Sequence, residues 1–389
     1  MTILENPPLA LYVHFPWCVR KCPYCDFNSY TLHGPLAERD YLAALCADLS
    51  AQARAVGARQ VISIFLGGGT PSLFSPAAIA EVLTAADEQL ALAPGLEVTL
   101  EANPGTIERG RFAEYRAAGV TRVSLGAQSF DARRLAALGR IHSPDDTRRA
   151  AEEPHAAGLE NFNLDLMYGL PEQDAAGAMA DIEAALALAP AHLSHYQLTL
   201  EPGTPFAASP PRLPEEDAIE RMLAGCRARL ETEGFAQYEV SAYARPGRQC
   251  WHNRNYWTFG DYLGIGAGAH GKLTNVPAHE VARTRQAREP RRYLASAAQG
   301  VGTRTVVAPE QLPFEFMLNA LRLSAGFEPH LFSSRTGLPW AVVEPTVSRL
   351  RARDLMVEDE GRYQASPLGW RFLNDVLLSF LPESPKSVG

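Results

Sequence analysis

Residues 11–25 read LYVHFPWCVRKCPYC, and this stretch joins a strand signal to a metal signal. Leu11–Phe15 is a short apolar and aromatic run of the kind that forms a buried strand. Directly behind it, Cys18, Cys22 and Cys25 have the spacing CxxxCxxC. Thiolates are soft ligands that suit iron–sulfur clusters and zinc. Structural zinc usually takes four ligands. No fourth Cys or His follows Cys25 closely; Asp26 and Phe27 stand there, and His14 lies upstream in the strand. Three thiolates on a cubane leave one iron without a protein ligand, and an open position is how a metal site admits a substrate or cofactor. The alternatives are three cysteines that merely pack, or a zinc site closed by a distant residue. The tight spacing behind a strand favours a 4Fe-4S cluster over both.

Outward from this stretch, short β-branched or aromatic runs alternate with longer Ala/Leu-rich amphipathic segments. Further candidate strands are 61–66, 97–101, 122–126, 162–167 and 194–198. Helix starts are marked by Ser75-Pro76 and Ser143-Pro144, an N-cap followed by Pro at the first helical position. The second helix should end near Gly158, with a kink or early stop at Pro154. Repeated βα units imply a parallel sheet with helices outside. The expected class is α/β: a partial (β/α)6-type parallel barrel with a smaller, mainly helical C-terminal domain. In such barrels chemistry sits at the C-terminal ends of the strands. The cysteines, Gly67-Gly68-Gly69-Thr70, Glu101, Gln128 and Asp165 should therefore converge on one rim.

After about Thr204 the pattern changes. A Pro-rich stretch, 209–214, leads into a helix expected from Pro214 to about Gly234, carrying Cys226. A Gly/aromatic segment, 250–271, precedes a basic run of Arg283, Arg285, Arg288, Arg291 and Arg292. From Pro309 onward, helical patterns surround a hairpin-like stretch at 356–363, which reads as a winged-helix-like unit. The expected organisation is a core at 1–210, a connecting region at 211–300 and a C-terminal domain at 301–389. With 389 residues and net charge −8, the chain is not the basic protein that nucleic-acid binding usually demands. Its N-terminus lacks the basic and small-residue features of a signal peptide, and the expected location is the cytoplasm. Six cysteines are too few for a disulfide scaffold in a chain of this length.

The CxxxCxxC loop after a first strand resembles the radical S-adenosylmethionine superfamily. There the open iron is chelated by the methionine amino and carboxylate groups, and one electron can cleave the sulfonium to a 5′-deoxyadenosyl radical. Several segments together are similar to one branch, the oxygen-independent coproporphyrinogen III oxidase group. These are Gly67-Gly68-Gly69-Thr70-Pro71, Leu100-Glu101-Ala102-Asn103-Pro104, Gly126-Ala127-Gln128-Ser129-Phe130, Leu138-Gly139-Arg140 and Asn163-Leu164-Asp165. The resemblance implies S-adenosylmethionine contacts at Tyr12, Tyr24, Gly68, Gly69, Thr70, Glu101, Gln128, Arg140 and Asp165. On their own, a glycine turn, a strand-end Glu or an Arg has a bland reading; Asp165 is harder to dismiss, since burying a carboxylate without a partner is costly.

Two departures separate the chain from the oxidases. They carry CxxxCxxCxC, where this chain has Phe27, and a longer arm ahead of the cluster, where it has 17 residues before Cys18. Both features, and His252-Asn253-Arg254-Asn255-Tyr256-Trp257, resemble the HemW group of haem chaperones with its HNxxYW signature. That resemblance implies haem as a third cofactor and cargo, His252 as a candidate haem ligand, and haem-acceptor proteins as partners, membrane-associated ones included. It allows a homodimer. Haem needs an apolar aromatic slot and an axial ligand; Cys250, Tyr256 and Trp257 could contribute, and the arginine run could meet propionates. A loop packed on the barrel is the plainer reading of the same segment. The alternative function is a radical oxidase acting on coproporphyrinogen III or another tetrapyrrole.

Overall fold

The six apolar runs of the first half form neighbouring strands in a computed structural model, which describes residues 4–106, 110–300 and 302–382. They are β1 (Leu9–Phe15), β2 (Gln60–Gly68), β3 (Ala91–Ala102), β4 (Arg122–Gln128), β5 (Phe162–Tyr168) and β6 (His192–Gln197). They pair in chain order and all run parallel. Alternation along each strand divides two environments. Leu9, Leu11, Val13 and Phe15 enter the apolar core with Tyr41, Leu45 and Leu49 of the helix Glu38–Val56. Tyr12 and His14 point to the concave face instead, where the inward positions of β3 to β5 are polar: Glu97, Thr99, Glu101, Arg122, Ser124, Asn163 and Asp165.

The helix signals act as read. Ser75 accepts from the Ala78 N–H, and Ser143 forms a reciprocal capping box with Asp146. The helix Pro144–Ala156 is followed by left-handed Gly158 (φ 69°). Pro154 does not stop it early. It sits in the last turn, where its missing N–H costs one bond, and its carbonyl accepts from Leu159 at 2.8 Å.

The segment after residue 235 adds strands that the sequence pattern did not reveal. β7 (Ala236–Glu239) and β8 (Ala242–Ala244) extend the sheet antiparallel beyond β6. β9 (Asp261–Ile265) joins the other side of β1 in parallel. Next to it lie β10 (His270–Asn275), β11 (Glu280–Arg285) and β12 (Thr303–Val306), each antiparallel to its neighbour. The order is β12-β11-β10-β9-β1-β2-β3-β4-β5-β6-β8-β7. No pairing joins its two ends among the described residues.

The C-terminal part packs its helices Leu312–Ala320, Pro329–Thr336 and Glu344–Arg351 before a hairpin, β13 (Met356–Asp359) and β14 (Arg362–Ala365). It has its own apolar cluster, including Phe316, Phe327, Phe332 and Val376. Phe259 belongs to that cluster and meets Phe316 at 5.7 Å, so this unit docks on the segment ahead of β9. Among the described residues, no helix is long and apolar enough to cross a membrane.

Candidate metal centre and cofactor cavity

The C-terminal ends of β1 to β6 surround a cavity of about 310 Å³. That is within the range of small-molecule sites. Its lining includes Cys18, Cys22, Cys25, Tyr24, Gly68, Gly69, Thr70, Glu101, Gln128, Arg140 and Asp165. Of the site residues singled out above, Tyr12 and His252 are outside this lining.

The cysteine loop is held at both ends. Trp17-Cys18 pairs with Tyr30-Thr31, and Cys25 N–H donates to the Cys22 carbonyl at 3.2 Å. Asn28 fixes the far side by donating to the carbonyls of Ala267 (2.8 Å) and Arg288 (2.9 Å). The three thiols are free, and no three His, Cys, Asp or Glu groups among the described residues could hold a single metal ion. A cubane takes its thiolates at separate corners, so three soft donors spread around one cavity fit a cluster better than one ion. Burial pushes the Cys18 and Cys25 thiols up, so ligation must release protons. Arg140 donates to Cys22 Sγ at 3.8 Å and to the Gly126 carbonyl at 2.7 Å, placing a cation between this thiol and the cavity wall.

The glycine segment is strapped to the same strand. Gly69 N–H donates to Phe15 O (2.7 Å) and Thr70 N–H to Trp17 O (2.8 Å). A Cβ at Gly69 would fall 2.6 Å from the Trp17 carbonyl oxygen, and Gly68 adopts φ 117° against the His14 ring. No other residue fits there. Gly68 N–H donates to Glu101 Oε2 at 3.0 Å. Burial and then the charge of Asp165 push the Glu101 carboxyl up to about 8. Burial also raises Asp165, opposed by hydrogen bonds from Ser194, Asn163 and Ser124. Two carboxyls facing a cavity suit a ligand with an ammonium and ribose hydroxyls.

Sequence reasoning missed two positioning residues. Tyr196 donates from its hydroxyl to Gln128 Oε1 at 2.7 Å, and Gln128 is held at φ 68°, a left-handed conformation rare outside glycine. Its inward position on β6 was the available signal. Asn28 is the other; nothing in its local sequence points to Ala267 or Arg288, residues more than two hundred positions away.

The Tyr12 hydroxyl is bonded to His14 Nδ1 at 2.9 Å, with His14 Nε2 meeting the Asn28 carbonyl at 2.9 Å. His252 lies on the helix Trp251–Trp257, 3% exposed, among the rings of Tyr12, Phe65 and Tyr256. Its Nδ1 meets Ser63 Oγ at 3.3 Å; its Nε2 has no partner among the described residues. Burial lowers its pKa to about 3. Cys250 is buried beside Glu97, and Asn255 closes the turn by donating to the Asp261 carbonyl.

Residues 12–185 match the family model of the radical SAM superfamily, and residues 307–372 that of the HemN C-terminal domain. The chain is 46% identical over 386 residues to the heme chaperone HemW of Escherichia coli (strain K12), covering 98% of this chain and 100% of that protein. It is 44% identical over 381 residues to the heme chaperone HemW of Haemophilus influenzae, covering 97% and 99%. The solved coproporphyrinogen III oxidase HemN from Escherichia coli superposes with a TM-score of 0.81 at 21% identity, covering 96% of this chain and 90% of that one. That likeness concerns the fold. With a cysteine loop and glycine segment facing one cavity, and relatives aligned from end to end, this chain belongs to the HemW family of the radical S-adenosylmethionine superfamily.

Proposed function

We propose that this protein is a cytoplasmic haem chaperone. It holds a 4Fe-4S cluster on Cys18, Cys22 and Cys25, binds S-adenosylmethionine in the adjoining cavity, binds haem, and passes it to acceptor proteins, membrane-associated ones among them. One observation carries the reading: the alignment with heme chaperones runs the full length of both chains at up to 46% identity. Phe27 supports it, standing 59% exposed beside the cluster loop where the oxidases carry a further thiol. The units 1–210, 211–300 and 301–389 would divide the work: cofactors in the first, haem handling in the second, and contact with acceptors or a second copy in the third.

The cluster, when bound, supplies one-electron chemistry at its open iron. The chain's own residues bind and orient. The Gly68-Gly69 peptide groups face the methionine end, and Glu101 waits beside them to receive an ammonium. Asp165 is held by three neighbours as an acceptor for hydroxyls, while Tyr196 fixes Gln128. Haem titration of purified protein, followed by anaerobic turnover with reductant, S-adenosylmethionine and coproporphyrinogen, tests the proposal. Stoichiometric haem binding without decarboxylation is expected. Decarboxylated product with deoxyadenosine, or no haem binding, would overturn it.

A further inference from the structure

His252 is 3% exposed and enclosed by the rings of Tyr12, Phe65 and Tyr256. The exposed histidine at the start of β10 is placed differently. β10 and β11 pair His270 opposite Arg285, so the two side chains leave the same face of the sheet. Lys272 and Arg283 share that face, and Arg283 reaches the Tyr262 hydroxyl of β9 at 2.9 Å, which marks it as the concave side. β11 runs parallel to β1, so Arg285 lies at the end of the sheet that carries the cysteine loop. The chain then passes directly along that loop: the Arg288 carbonyl accepts from Asn28 (2.9 Å) and from the Tyr30 hydroxyl (3.2 Å).

Charge and exposure point the same way. Arg283 pairs with Glu315 and Arg292 with Glu289. Arg285, Arg288 and Arg291 are exposed and have no carboxylate within ion-pairing distance among the described residues. Arg288 Nε donates to Asn28 Oδ1 at 3.4 Å, which leaves the charge without a counter-charge; guanidinium groups with no carboxylate partner on a chain of net charge −8 mark a place for an anion. Phe27, 59% exposed on the cysteine loop, directly precedes Asn28, whose amide meets the Arg288 carbonyl. Burial and then Arg285, Arg283 and Arg288 lower the His270 pKa, so its ring is neutral at neutral pH, the form that ligates iron.

The geometry points to a haem site on this rim: His270 as axial ligand, Arg285 and Arg288 on the propionates, and Phe27 against the porphyrin face. Guanidinium forks match carboxylates, and the macrocycle needs an apolar wall. The site rests on the haem-binding reading above and gives it a location beside the cluster.

Full-length protein is titrated anaerobically with haem, and separately with its dimethyl ester, which lacks the propionate charges. His270→Gly should remove the ligated Soret band and weaken binding on the order of tenfold, and added imidazole should restore the band. Arg285→Ala with Arg288→Ala should weaken haem on the order of tenfold while leaving the ester unchanged. His252→Ala should keep the ligated spectrum. Circular dichroism confirms that each variant is folded; should His270→Gly fail to fold, the arginine pair read against the ester decides. The site is overturned if haem ligation survives in His270→Gly, or if the arginine variant weakens haem and ester alike. If wild-type protein binds no haem, the chaperone reading falls with it, so the two failures are distinct.

Discussion

Replacing Glu101 with Gln tests the electrostatics of the cavity most directly. The Glu101 carboxyl titrates at about 8 because it is buried and faces Asp165. At pH 7 roughly a tenth of it is ionised, and ionising it there costs about 1.4 kcal/mol. A ligand bringing an ammonium to Glu101 must draw that proton off. S-adenosylmethionine affinity should therefore rise about tenfold per pH unit up to pH 8 and then level. Glu101→Gln keeps the Gly68 contact but loses the charge, so this part of the slope should vanish; any titration of the ligand itself is common to both proteins and cancels. The unliganded protein gives a second reading. Its Glu101 pKa is raised above the unfolded value, so wild-type stability is fullest below pH 4.5 and is lost as pH rises towards 8. Glu101 lines the cavity rather than the closed core, so the difference in favour of Glu101→Gln above pH 8 should be about 2–4 kcal/mol. Calorimetry of the reconstituted protein from pH 6 to 9, in buffers of different ionisation heat, measures the first effect; urea unfolding measures the second. Identical pH slopes in both proteins would refute the reasoning.

Tyr196→Phe should weaken S-adenosylmethionine about fivefold, the loss of one hydrogen bond to Gln128, with iron and sulfide content unchanged by chemical analysis. Cys18→Ala should abolish iron and sulfide incorporation while leaving haem titration intact, because the haem site proposed above uses none of the three thiols. Gly268→Ala should lower the melting temperature and speed iron loss, because Gly268 sits at φ 80° and a Cβ would fall 2.2 Å from the Asn28 amide nitrogen that anchors the cysteine loop; its cost should be about 1–3 kcal/mol. Phe316→Ala, in the centre of the C-terminal cluster, should cost about 3–5 kcal/mol in denaturant unfolding of that unit.

The sequence determined the six parallel strands and eleven of the residues that line the cavity. A parallel strand buried on its helix side writes a local apolar run, and most of the candidate cofactor-binding residues lie in such a run or within a few positions of it. The CxxxCxxC spacing and the glycine segment are equally local. Tertiary structure decided what depends on partners far away in the chain. β9 pairs with β1 across some 250 residues, and Asn28 clamps the cysteine loop to Ala267 and Arg288 over a similar span. Local pattern cannot specify such pairings, because they are fixed by which edge of the sheet remains open. The same holds for the two histidines. His252 carried the sequence signature and lies sealed among aromatic rings, whereas His270 was only part of a glycine-rich segment and stands exposed beside arginines. Spacing along a chain says which residues are neighbours; exposure to a ligand is settled only when the sheet curves and one face becomes the inside.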